Sequence, residues 1–372
     1  MRFSLFVGNA GRNSGGPEIY ESELLRALAR CDRDNQYEVF CLDRRAPEVV
    51  GVRQDNFRFH ALEPSIRPIS MTCSLPLAAL RHRTESLHAT FMPPVFSPQP
   101  YILTLVCFSM FQHPELYPAA IRLRVQALTR IGLRSARYFL CVSKNVRDLF
   151  AEKFKIPEER MRVSYMAASS AFRPMDAAAV KAELAERLGI NGPYFLFSGR
   201  WERRKNIVGT LRAFAHFKRT TRLPHRLVLT GSRTWAAAEA EQAIEELGIA
   251  NEITDLGKSP ISDLPLLYAG AEALLYASLW EGFGMPLAES MACGTPVITS
   301  NLSSMPEVAG KAGLLVDPYS VEEIADAMRR IAVDAELRAT LSAAALERSK
   351  AFSWDETARL SIESYRRLAS EN

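Results

Sequence analysis

Residues 278–297 read SLWEGFGMPLAESMACGTPV, in which Glu281 and Glu289 stand eight positions apart around two glycines and a proline. The pattern predicts a turn through Gly282-Phe283-Gly284 and a helix with Pro286 at its first position. Backbone N–H groups at such a helix start favour an anion, for example a diphosphate. Glu289, read in the first turn of that helix, offers a carboxylate able to accept hydrogen bonds from two vicinal hydroxyls, as on a ribose. The bland alternative is that both glutamates only complement the helix dipole. A second stretch, residues 198–206 (SGRWERRKN), sets a glycine turn before Arg200 and Lys205. These cations could clamp a diphosphate leaving group, or could form nothing more than a solvated basic loop. A third stretch, residues 8–17 (GNAGRNSGGP), offers Gly15 and Gly16 for close backbone approach to a phosphate. It lacks G-x-G-x-x-G, so a dinucleotide fingerprint is absent.

All three stretches fall after short apolar runs, which read as strands. In the first half these are Phe3–Val7, Tyr37–Leu42, Phe57–Ala61, Leu87–Ala89, Tyr101–Val106 and Tyr138–Val142. A helix over Glu18–Arg30 follows the first, with Leu24, Leu25 and Leu28 on its apolar face. The rhythm restarts with Tyr194–Ser198, Arg226–Thr230, Glu252–Asp255, Ala273–Tyr276, Thr295–Thr299 and Gly313–Leu315. Strands alternating with helices predict an α/β protein of two Rossmann-like, doubly wound parallel-sheet domains, with ligands at the strands' C-terminal ends. Turn residues around 172–178 place the boundary there, giving domains of 1–175 and 176–353.

The 372 residues suffice for two such domains, and 48% hydrophobic with 24% charged residues is ordinary globular composition. A net charge of +4 implies no nucleic-acid partner. The six cysteines form no C-x-x-C pair and read as buried free thiols. The first residues carry no signal-peptide core and no apolar run is long enough to span a bilayer, which points to the cytoplasm. Asp32-Arg33-Asp34 reads as a turn, and no metal site is expected. Between Leu116 and Arg147 no acidic residue occurs. On a helix, Arg122, Arg130, Arg134 and Arg137 fall on one arc, opposite Ile121, Val125 and Leu128. Residues 119–147 could therefore rest on an anionic membrane surface, or simply present a solvated face.

The E-x7-E pair within EGFGMPLAESMACGTPVI, together with GRWERRKN, resembles family 4 of the retaining glycosyltransferases, which have the GT-B fold. The resemblance extends to SGGPEIYESELLRAL, FQHPELYP, CVSKNVRDLF, LPLLYAGAEALLYAS and FSWDETARLSIESYRRL, and so covers nearly the whole chain. It implies a metal-independent transfer of a sugar, with mannose from GDP-mannose the leading choice. The donor would be a nucleoside-diphosphate sugar, acting as co-substrate with no cofactor. The acceptor would be a glycan or lipid-linked glycan in surface-polysaccharide assembly. By the same resemblance Glu281, Arg200 and Lys205 are catalytic, with Glu281 on the donor sugar and the two cations on the diphosphate. Glu289 would hold the ribose, Gly282, Phe283 and Gly284 would line the donor, Gly16 would approach it, and the base would lie near Leu256-Gly257-Lys258. The N-terminal domain would bind acceptor, the C-terminal domain donor, and a final helix over 354–372 would pack back on the N-terminal domain.

Two departures stand out. Where relatives carry a His-Asp pair this chain has Val106-Cys107, and where they show Asn-Gly-Val-Asp it has Met166-Ala167-Ala168-Ser169. A catalytically silent nucleotide-binding scaffold is the competing reading. Otherwise the acceptor differs, or His88, His113, Ser109 or Ser143 serves in place of the missing pair. His88 and His113 by themselves read as histidines satisfied near a strand end or turn.

Overall fold

The computed structural model describes residues 1–371 apart from Met92 and Trp235. The chain divides into two compact units, Met1–Met166 with Ser353–Asn372, and Ala167–Phe352. The break thus falls at Met166/Ala167 and not at 175/176. Phe172 explains the shift: its ring packs edge-on against Tyr268 of the second unit at 5.7 Å. The turn residues that follow lead into a helix, Ala177–Leu188, capped by Asp176, which accepts from the Ala179 amide at 2.9 Å.

The first unit holds seven strands: β1 (Arg2–Val7), β2 (Gln36–Cys41), β3 (Phe57–Ala61), β4 (Ser86–Thr90), β5 (Tyr101–Leu105), β6 (Tyr138–Cys141) and β7 (Met161–Val163). They lie parallel in the order β3-β2-β1-β4-β5-β6-β7. The second unit holds six: β8 (Tyr194–Ser198), β9 (Arg226–Thr230), β10 (Ile253–Asp255), β11 (Ala273–Tyr276), β12 (Val297–Ser300) and β13 (Gly313–Val316). Their order is β10-β9-β8-β11-β12-β13, again all parallel. Helices cover both faces of such sheets, which is why β4, β5, β8 and β11 are buried along their whole length. Strand order reverses at β1/β4 in one unit and at β8/β11 in the other, so loops leaving those strands diverge around a crevice.

Several expectations need correction. β7 was not foreseen, and the first helix begins at Gly16. The arginine-rich helix is Ala119–Ser135, so Arg137 lies beyond it and faces Glu371 at 3.6 Å. Cys31, Cys73 and Cys107 are exposed, whereas Cys41, Cys141 and Cys293 are buried; all are free. Asp32 caps a turn, its carboxylate accepting from Asn35 Nδ2 and Tyr37 Oη at 2.6 Å each.

The last helix, Trp354–Ser370, completes the first unit. Trp354 packs edge-on against Tyr20 at 5.6 Å, and Tyr365 packs on Phe3 at 5.1 Å. Tyr365 Oη and His88 Nδ1 are hydrogen-bonded at 2.7 Å, with both residues essentially inaccessible.

Candidate active site

In the second unit, the loops after β8 and β11 leave adjacent strands at the reversal point. This adjacency brings residues 199–206 beside residues 277–284, although they are distant in sequence. Glu281 sits at the centre and is almost wholly buried. Arg204 Nη1 lies 2.8 Å from its Oε2, while Lys205 Nζ and the Tyr276 hydroxyl meet its Oε1, the latter at 2.9 Å. Lys205 also bonds Tyr276 and sits 4.7 Å from its ring centroid. Burial by itself would raise the Glu281 pKa, but Arg204 and Lys205 outweigh it and hold the carboxyl at about 2. Burial pulls the Lys205 ammonium below its ordinary value, with Glu281 opposing.

The loop carrying Glu281 is fixed from behind. Its amide donates to Ser303 Oγ at 3.0 Å, and Ser304 Oγ donates to the Glu281 and Phe283 carbonyls at 3.0 and 3.2 Å. Gly284 adopts φ +97, and a Cβ there would come within 2.7 Å of Met305 Cε. Only glycine suits both constraints. The helix that follows is Met285–Ala292, which places Pro286 second and Glu289 in the second turn, not the first. From there Glu289 accepts a hydrogen bond from Tyr268 Oη at 2.8 Å. Burial raises the Glu289 pKa to about 7, against the Tyr268 hydrogen bond and the Lys205 charge.

Other predicted positions lie outside this cluster. Arg200 is more than half exposed and pairs with Glu202 at 3.1 Å. Phe283 is buried, with its ring edge-on to Phe352 at 5.3 Å. Gly282 is buried. Gly257 follows β10 with φ +58, its carbonyl accepting from the Gly231 amide at 2.7 Å. Gly16 belongs to the first unit, at the start of helix Gly16–Cys31.

The loop after β1 is held by carboxylates of that helix. Asn9 and Ala10 donate backbone N–H groups to Glu21 Oε2 at 2.7 and 2.9 Å, and Gly11 and Ser14 donate to Glu18 at 2.9 Å each. Thr90 Oγ1 donates to Glu21 Oε1 at 2.6 Å. Burial raises the Glu21 pKa to about 7, despite these hydrogen bonds.

The histidines and serines weighed as alternatives are mostly committed elsewhere. His88 bonds Thr104 as well as Tyr365, and burial drops its pKa to about 3. Ser143 caps the helix Lys144–Phe154. His113 faces Glu115 at 3.2 Å. Ser109 lies between Cys107, at 2.8 Å, and Tyr117. Arg204, Tyr268, Tyr276, Ser303 and Ser304 were not singled out from sequence, although both tyrosines lie in the quoted motif LPLLYAGAEALLYAS.

The model of the glycosyl transferases group 1 family matches residues 180–348, the unit that holds this cluster. The chain is 35% identical over 268 residues to the O-antigen chain mannosyltransferase B of Escherichia coli, covering 72% of this chain and 70% of that protein. This chain belongs to the glycosyl transferases group 1 family. Likeness in fold spans the whole of this glycosyltransferase. Sucrose-phosphate synthase from Thermosynechococcus elongatus superposes with a TM-score of 0.81 at 22% identity over all of both chains. HepE from Anabaena, in complex with UDP and glucose, gives 0.77 at 18% identity over 98% of this chain and 99% of that one. These neighbours establish the GT-B fold. Among the described residues no helix of the glycosyltransferase is long and apolar enough to cross a membrane.

Proposed function

We propose that the protein transfers mannose from a nucleoside-diphosphate sugar, GDP-mannose in the leading case, to a hydroxyl of a glycan or lipid-linked glycan, with retention and without a metal. The observation that carries this is the buried pairing of Glu281 with Arg204 and Lys205, beside Glu289, at the β8/β11 reversal. Both cations face Glu281, and Arg204 also faces Glu202 at 3.5 Å. A diphosphate offers them a further anion, which frees Glu281 to accept sugar hydroxyls. As the sugar–phosphate bond breaks, negative charge grows on the leaving diphosphate, and Arg204, Lys205 and Arg200 stabilise it where a metal would otherwise be needed. Ionised Glu289 accepts the ribose hydroxyls. In a retaining transfer the leaving phosphate can take the acceptor's proton on the same face, so loss of the His-Asp pair at Val106-Cys107 leaves this route open. The choice of mannose rests on the name of the Escherichia coli relative.

The acceptor side belongs to the first unit in this proposal. Helix Ala119–Ser135 exposes Leu123 and Ile131 among Arg124, Arg130 and Arg134. Such a mixed basic and apolar face suits peripheral contact with an anionic membrane that carries a lipid-linked acceptor. Co-sedimentation with anionic vesicles at low salt checks it, and no binding there would remove the membrane contact.

The deciding experiment is thermal-shift binding of UDP, GDP, ADP and dTDP to wild type and Glu289→Ala. Ligand at 100 times its dissociation constant stabilises by about 2.7 kcal/mol. One nucleotide should shift the wild type alone, and its mannose derivative should then turn over with the anomeric configuration kept. A nucleotide that binds without any turnover would leave a silent scaffold.

A further inference from the structure

We infer that Glu38, His60 and His82 form a binding site for one first-row divalent cation of the zinc type, in the first unit and separate from the sugar-transfer chemistry. Glu38 lies on β2, His60 on β3 and His82 at the end of helix Leu75–His82. Their donor atoms all fall within 4.8 Å of one another. His60 Nε2 stands 2.6 Å from Glu38 Oε2, and His82 Nδ1 stands 3.4 Å from the same oxygen. Zinc bonds nitrogen and oxygen at about 2.0–2.2 Å, so neighbouring donors in a tetrahedral shell sit roughly 3.3 Å apart. His82 Nδ1 already stands at about that separation from Glu38, and His60 Nε2 reaches it by moving out less than about 1 Å.

Burial and charge favour a cation here. The Glu38 side chain is only 2% exposed, while each imidazole is about a quarter exposed, at 28% and 27%. The carboxylate is thus sealed on the protein side, and the imidazoles leave an edge open to a solvent ligand. Arg2, the nearest guanidinium, stays 3.9 Å from the other carboxylate oxygen. The two imidazole rings lie 4.2 Å apart, tilted by 48°. A divalent cation would bond the Glu38 carboxylate and one nitrogen of each ring at once. Phe40 forms the apolar floor, its ring 5.6 Å from His60 and 5.7 Å from His82. Two imidazoles and one carboxylate suit zinc, cobalt or nickel better than calcium or magnesium. Arg2, 3.9 Å from Glu38, would oppose a bound cation, which suits a reversible clamp between strands and helix.

The test uses the full chain, stripped with a chelator and titrated calorimetrically with zinc chloride. One equivalent should bind, with a rise in Tm. The same chain loaded with zinc should show two imidazole ligands and no sulfur by X-ray absorption at the zinc edge. His60→Gln and His82→Gln should each weaken binding by at least tenfold while GDP or UDP binding stays unchanged. Absent saturable binding, a sulfur ligand at the edge, or full affinity in both folded variants would overturn the site. If a variant fails to fold, the wild-type absorption spectrum alone still decides.

Discussion

Both units reverse their strand order beside a central strand, yet the loops emerging at the two reversals are furnished oppositely. After β1, backbone amides of Asn9, Ala10, Gly11 and Ser14 are already taken by Glu18 and Glu21. After β8 and β11, Arg204 and Lys205 converge on Glu281, and Arg204 also lies 3.5 Å from Glu202. An anion arriving at the first loop would have to displace carboxylates that already hold it. At the second it would meet Arg204 and Lys205 side by side, cations whose present partners are carboxylates and not backbone amides. The same sheet plan therefore makes one loop whose amides are tied to carboxylates and another where buried cations and carboxylates meet.

The sharpest way to break this contrast is Glu281→Ala. It strands Arg204 and Lys205 in a buried position, so the second unit should lose about 3–5 kcal/mol of stability, read by calorimetry. Transfer should fall by about a hundredfold or more. An unchanged Tm would mean the cations are better solvated than their burial indicates. Glu21→Gln tests the other edge: it turns an acceptor into a donor facing the Asn9 and Ala10 amides, at a cost of about 1–3 kcal/mol. Hydrogen exchange should quicken at those amides while nucleotide affinity holds. A fall in affinity would bring the first loop into the donor site.

pH separates the two further. Glu21 and Glu289 both have folded pKa values near 7 against an ordinary 4.5, so the folded state binds more protons between these limits. Their contribution is complete below about pH 4.5 and is lost as pH rises through 7. Denaturant titrations at pH 5 and 8 should show this fall, and Glu289→Gln should shrink it. Nucleotide affinity should move the other way, rising from pH 6 to 8, because only the ionised Glu289 accepts two hydroxyls. The smallest effect is expected for Arg200→Ala. This exposed side chain should change stability by less than about 0.5 kcal/mol, while nucleotide binding weakens and becomes less salt-sensitive.

Most of the fold could be read before any coordinates, because parallel strands buried on both faces leave continuous apolar runs. β7 escaped because Met161-Arg162-Val163 is a three-residue edge strand with a half-exposed arginine at its centre. Of the residues that meet after β8 and β11, Glu281, Lys205 and Glu289 could be singled out by residue type and flanking glycines. Arg204 was not, since three successive bases carry no sign of which points inward. The turn Arg203–Lys205 decides it: a 3₁₀ turn rotates each side chain by about 120°, sending Arg203 out to Glu239 and Arg204 in to Glu281. Tyr268 and Tyr276 were hidden for another reason. Their apolar neighbours mark them as core, and only the position of each hydroxyl reveals that they orient Glu289 and Lys205.

The helix Trp354–Ser370 sets the order in which a chain leaving the ribosome can mature. The first unit emerges early, with its sheet strands complete by Val163, but His88 must wait for Tyr365 before its buried ring is fully satisfied. The second unit has no such debt, since all of its residues lie between Ala167 and Phe352. During synthesis the second unit can therefore close first, while the earlier-made unit is completed only when the last helix docks. For that interval the newborn protein is asymmetric in time as well as in charge, with the first-made half the last to be finished.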